Sequence, residues 1–156
     1  METTRKSLYI TPHTVVSREA IEADTDRIID DAIKMFETAT NPPKGYSAAM
    51  SISHAQITDK DPLRFFVTGD GDLIINPVFT NKTRHTVEKW EYCAHFPAKQ
   101  IQNFRKKRHH KCEVEYWTIL NEEKKEWVKK TESLSSTRAQ LFQHEIDHMN
   151  GEFLQK

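Results

Sequence analysis

The stretch Gln143–Gly151, QHEIDHMNG, carries two histidines four positions apart, His144 and His148, with Glu145 directly after the first. On a helix, residues at i and i+4 project from the same face, so both imidazoles can bind one cation. Glu145 then sits close enough to reach a water at that cation without being a ligand, the position of a general base. Phe142, Ile146 and Met149 recur at spacings of four and three and form an apolar stripe, with His144 and His148 nearly opposite and Leu141 beside them. A helix with an apolar stripe on one side and His, Glu and His on the other is expected to be enclosed on both sides, by core and by a metal pocket. Plain surface histidines would leave the second enclosed-looking face unexplained.

Working outward, the same helix is expected to begin near Ser135 or Ser136 and to stop at Gly151, where a helix C-terminus favours a left-handed residue. Before it, KCEVEYWTIL (111–120) and EWVKK (126–130) alternate in polarity around NEEKK, which predicts an antiparallel hairpin. LRFFV (63–67) and DLIINPVF (72–79), divided by the Gly69-Asp70-Gly71 turn, read as two further strands. Near the N-terminus, Ile21, Ile28, Ala32, Met35 and Ala39 predict a helix from Ser17, as N-cap, to about Ala39. NPPKG (41–45) stops it and a loop containing GYSAAMSIS follows. Helix, strands, helix without regular strand–helix alternation indicates an α+β fold: antiparallel strands around a central HExxH helix, with an N-terminal helix.

The chain has 156 residues, which suits one domain spanning 1–156. With 23 basic and 23 acidic residues the net charge is zero, so bulk electrostatics argue for neither direct nucleic-acid nor membrane binding. METTRKSLYITPHTVV lacks the apolar core of a signal peptide, and no segment has the run of about 18 apolar residues that a membrane span needs. Two cysteines, Cys93 and Cys112, are too few for a disulfide scaffold. The expected location is the cytoplasm, or an organelle if a transit peptide has been removed.

Two imidazoles seldom hold a catalytic metal alone, and the third ligand is expected upstream, because Glu152 follows the helix-ending glycine too closely to fold back. Cys112, inside an alternating strand, reads as a packed thiol. His109 and His110 belong to FRKKRHHK, read as a solvated basic loop or strand edge, and His13, His54 and His85 stand in isolated polar contexts that suit the surface. His95 accompanies the remaining thiol in WEYCAHFP (90–97), where Cys93 follows a strand. A thiolate with two imidazoles leaves a fourth position open for water or substrate, and zinc, iron or cobalt suits such a donor set.

At this point the chain resembles the peptide deformylases. Their third motif, QHExDHLxG, is matched by Gln143, His144, Glu145, Asp147, His148 and Gly151, with Met149 replacing leucine. Their second, EGCLS, is similar to EYCAH, where Glu91 and Cys93 are kept and Tyr92, Ala94 and His95 depart. Ile75–Pro77, INP, matches a strand segment preceding it. Their first, GxGxAAxQ, is similar to KGYSAAMS (44–51), in which Ala48 and Ala49 match and Ser51 stands where the family has glutamine. The resemblance runs from the first helix through the last and is to the short forms, without a C-terminal helix extension.

The resemblance implies hydrolysis of the formyl group from N-terminal formyl-methionine of nascent peptides, with release of formate. Cys93, His144 and His148 would be metal ligands and Glu145 the catalytic base. The Ala94 backbone N–H, Ser51, Gly45 and Tyr92 fall on the oxyanion and substrate side. One divalent metal is implied, Fe2+ in the cell and Zn2+ as purified, with Ni2+ or Co2+ also compatible. The partners implied are an N-formylated peptide and the ribosome. Because Ser51 and Tyr92 depart from the motifs, the alternative is a deformylase-like protein that binds metal and peptide with little or no turnover.

Overall fold

The computed structural model describes residues 8–10, 12–91, 104–120 and 123–152. Its elements in chain order are a short 3-10 turn Glu22–Asp24, helix α1 (Thr25–Thr40), strand β1 (Ser51–Ser53), a second 3-10 turn His54–Gln56, β2 (Phe65–Thr68), β3 (Leu73–Lys82), β4 (Thr86–Glu91), β5 (Phe104–His109), β6 (Lys111–Ile119), β7 (Trp127–Ser135) and helix α2 (Ser136–Met149). Five strands form one antiparallel sheet in the order β1-β2-β3-β6-β7, and β4 and β5 pair separately as a two-stranded sheet. Each boundary expected for α2 holds: the helix starts at Ser136, and Gly151 takes a φ of +80°. The expected hairpin is β6–β7, with Val114 opposite Glu132.

The inner strand β2 shows how the sheet separates two cores. All four of its residues are buried, so its run FFVT is apolar on both faces, unlike the alternating β6. Phe65 and Val67 join Ile28, Met35 and Ala39 of α1, together with Ile52 and Ile75. Phe66 turns the other way and meets Ala139, Phe142, Ile146 and Met149 of α2, with Ile74, Cys112, Val114, Tyr116 and Leu134. The Phe66 and Phe142 rings meet edge to face at 5.0 Å between centroids. α2 thus inserts its apolar stripe into one core while its opposite face remains available to β1, β4 and β5.

The start of the first helix differs from expectation. Ser17 is not its cap, because the backbone there is committed elsewhere: the Ser17 N–H donates to Met149 O at 2.7 Å, and Arg18 bridges in parallel to Leu63. Asn76, at a φ of +52° beside Pro77, uses its side-chain amide to clasp both the N–H and the carbonyl of Ala20 at 2.8 Å. These long-range bonds hold residues 17–20 extended, so α1 begins at Thr25 and Ile21 is exposed. Asn76 and Pro77 lie where the β3–β6 register shifts, a bulge that tolerates the missing proline donor.

Two other expectations need correction. Of the two readings of FRKKRHHK, loop or strand edge, the strand holds, with residues 104–109 as β5 in a two-stranded sheet, but the segment is not fully solvated: Arg108 is 4% exposed, and His109 and His110 are half-buried. His54 is not on the surface either. It is fully buried, its Nδ1 accepts the Leu63 N–H at 2.9 Å and its Nε2 lies 2.8 Å from Asp31 of α1. His13 is half-buried, with Nε2 2.8 Å from Ala55 O, whereas His85 is exposed as expected.

Candidate metal and catalytic centre

The polar face of α2 carries Gln140, Gln143, His144, Asp147 and His148, with Glu145 turned toward β1. The first of its two imidazoles is oriented from behind. His144 Nδ1 lies 2.9 Å from Glu91 Oε1 at the end of β4. Since a carboxylate can only accept, Nδ1 carries the proton and Nε2 presents its lone pair forward. Glu91 is fixed in turn by Arg108 of β5, whose Nε and Nη2 each donate at 2.7 Å, while Nη1 donates at 2.7 Å to Asp147. Burial alone would push the Glu91 carboxyl up, but Arg108 and His144 outweigh it and hold the group down at about 2. It is therefore a fixed anion behind His144.

Gln143 ties the same helix to β5 in another way. Its Oε1 accepts the His109 N–H and its Nε2 donates to His109 O, both at 2.9 Å, so the amide acts as one more rung of a strand. Gln140 Nε2 donates to Glu91 Oε2 at 3.2 Å and to Trp90 O at 3.1 Å. The glutamines, aspartate and first histidine of the motif region all reach the β4–β5 pair.

His144 Nε2 and His148 Nε2 face each other at 3.1 Å. Two nitrogens bound to a tetrahedral cation at ordinary lengths stand about 3.3 Å apart, so the two rings are already near the required separation. Ligand atoms of His144, Glu145 and His148 all lie within 4.8 Å of one another, the one such His/Cys/Asp/Glu group among the described residues. Cys112 is not part of it; it packs in the core, where burial pushes its thiol up.

Glu145 is 1% exposed, and burial raises its carboxyl to about 7 against the opposing influence of His144 and the Ser51 and Ser53 hydroxyls. Ser51 donates to Oε1 at 3.0 Å, whereas Oε2 is buried without a hydrogen-bond partner among the described residues. An unsatisfied buried carboxylate oxygen beside two converging imidazoles suits a site that takes a cation and water. A cleft opens over this group, walled by Ala49, Met50, Trp90 and Leu141, with Ser51 and Gln56 also along it.

Of the residues expected from the sequence, His144, Glu145, His148 and Ser51 come together here. Gly45 lies in the turn after α1 with φ +89° and is not among the cleft-lining residues. Cys93, Tyr92, Ala94 and His95 lie outside the described residues. Arg108 was missed as a site residue because its neighbours in FRKKRHHK suggested solvent. The available signal was Asp147, an acid on a helix expected to be enclosed on both sides, which needs a cation.

Residues 12–156 match the family model described as polypeptide deformylase. A comparison with curated protein sequences finds no significant match. Among solved structures, the PDF of the Vibrio parahaemolyticus bacteriophage VP16T, in complex with actinonin, is similar at a TM-score of 0.72 and 24% identity, covering 96% of this chain and all of that one. The peptide deformylase of Thermotoga maritima follows at 0.71 and 22%, with 94% of each chain covered. A probable peptide deformylase from synechococcus phage S-SSM7 gives 0.62 and 21%, covering 92% of this chain and 88% of that one. At these identities the likeness is one of fold.

Proposed function

We propose, because this chain belongs to the polypeptide deformylase family, that residues 1–156 form one metal-hydrolase domain that removes the formyl group from N-terminal formyl-methionine, releasing formate. The observation that carries this reading is the convergence of His144, Glu145 and His148 under an apolar-walled cleft. Cys93, His144 and His148 are the proposed ligands of one divalent cation, Fe2+ by resemblance and Zn2+ as a frequent occupant. Cys93 is two residues beyond Glu91, which itself touches His144.

A bound divalent cation supplies Lewis acidity toward a carbonyl and lowers the pKa of water. The remaining work falls to the chain. Glu145 accepts the proton of the attacking water and returns it to the departing amine nitrogen, a role suited to a buried carboxyl whose oxygen lies 4.0 Å from His144 Nε2. Glu91 fixes the His144 tautomer, and Arg108 keeps Glu91 ionised. The Ala94 N–H is the proposed oxyanion donor, with Tyr92 on the substrate side. The walls formed by Met50, Trp90 and Leu141 suit a methionine side chain, with the peptide lying along a strand edge.

One observation favours a second reading, metal and peptide binding with little turnover: Ser51 stands at the family's glutamine position and directs its hydroxyl to Glu145. Formate release from a formyl-methionyl peptide, measured on anaerobically purified metal-loaded protein, decides between them. We expect turnover that falls by about 10²- to 10⁴-fold in Glu145→Ala. Equal release by wild type and variant would reject the enzymatic reading.

A further inference from the structure

Ser51 occupies the position at which the resemblance leads one to expect a side-chain donor to the substrate oxygen. β1 is Ser-Ile-Ser, and strand alternation places its residues on two faces. Ile52 enters the core under α1, while Ser51 turns its side chain to Glu145 of α2. Pairing with Thr68 fixes the Ser51 backbone, and Ser53 is fixed through Gln56, whose Oε1 accepts the Ser53 N–H at 2.9 Å and its hydroxyl at 3.3 Å. The β1 backbone that aims Ser51 is thus held from both ends.

A serine hydroxyl has one proton to donate. Given to Glu145 Oε1 at 3.0 Å, that proton is not available to an oxyanion. The same bond distinguishes the two carboxylate oxygens: Oε1 is occupied, and the buried Oε2 has no hydrogen-bond partner among the described residues. We infer that Ser51 is a positioning residue for Glu145, fixing its carboxyl through Oε1, which lies 4.0 Å from His144 Nε2, and that it does not donate to the substrate. The inference rests on the reading of Glu145 as the base. It also separates this chain from the glutamine-bearing pattern: the side chain at this position serves the base.

A double-mutant cycle of Ser51→Ala and Glu145→Ala on metal-loaded protein tests it through two readouts, formate-release kinetics and the thermal unfolding midpoint. We expect Ser51→Ala to lower kcat about tenfold with KM changed less than twofold, since misplacing a base impairs the chemical step more than binding. Ser51→Thr, which keeps the hydroxyl, should restore most of kcat. The midpoint should fall in Ser51→Ala relative to wild type, and should not fall further when Ser51→Ala is added to Glu145→Ala. The same midpoint loss in both backgrounds would overturn the inference, as would an unchanged kcat or a tenfold loss of residual turnover that persists without Glu145. Absence of wild-type turnover would sink the deformylase reading, while the unfolding cycle would still decide whether Ser51 acts through Glu145.

Discussion

Glu145 is buried and, among the described residues, has a hydrogen-bond partner at only one of its two oxygens. Its carboxyl rises from the ordinary 4.5 to about 7. In metal-free protein the folded chain therefore keeps, across that interval, a proton that the unfolded chain releases. Stability then falls as pH rises through the same interval. Glu145→Gln removes the titration at nearly constant shape. Metal-free variant and wild type should have similar denaturant midpoints near pH 4, and the variant should be the more stable above pH 7. An equal midpoint difference at both pH values would contradict this. Gly151 shows a different single-residue constraint: at φ +80°, a Cβ would stand 2.6 Å from Thr14 O, so the glycine ending the motif admits both the left-handed turn and the passing N-terminal segment.

At the scale of elements, α2 is joined to the β4–β5 pair by Arg108, which bridges Glu91 and Asp147. Arg108→Met would leave two carboxylates without their cation, at a cost of about 3–5 kcal/mol. Denaturant unfolding should report that loss, and one below about 1 kcal/mol would show that the bridge contributes little. The boundaries of α2 were legible because Ser135, Ser136 and Gly151 punctuate a periodic run, and β6 and β7 because polarity alternates along both. β4 and β5 were hidden because TVEKWE and FRKKRH carry charge on both faces, and Arg108 becomes an interior residue only with its partners present. The start of α1 was misplaced for a related reason. Local cap chemistry at Ser17 loses to long-range bonds with Met149, Leu63 and Asn76, which no window of the sequence contains.

The whole molecule places a five-stranded sheet between α1 and α2, with β2 buried on both sides. None of the helices in the described residues is long and apolar enough to cross a membrane. One core holds β1, whose Ser51 bonds Glu145, and the other holds the helix that carries both imidazoles, so the candidate site is built where the two meet. The convergence of His144, Glu145 and His148 was readable from QHEIDHMNG alone, but Glu91 and Arg108 enter only through the assembled fold. The central claim is that α2 closes on one cation together with the thiolate of Cys93. Metal-edge X-ray absorption on anaerobically purified, metal-loaded protein tests it most directly. The account predicts one sulfur near 2.3 Å with at least two imidazole nitrogens near 2.0 Å, roughly as for zinc, and loss of the sulfur signal in Cys93→Ser. A metal shell containing no sulfur in the wild type would contradict it.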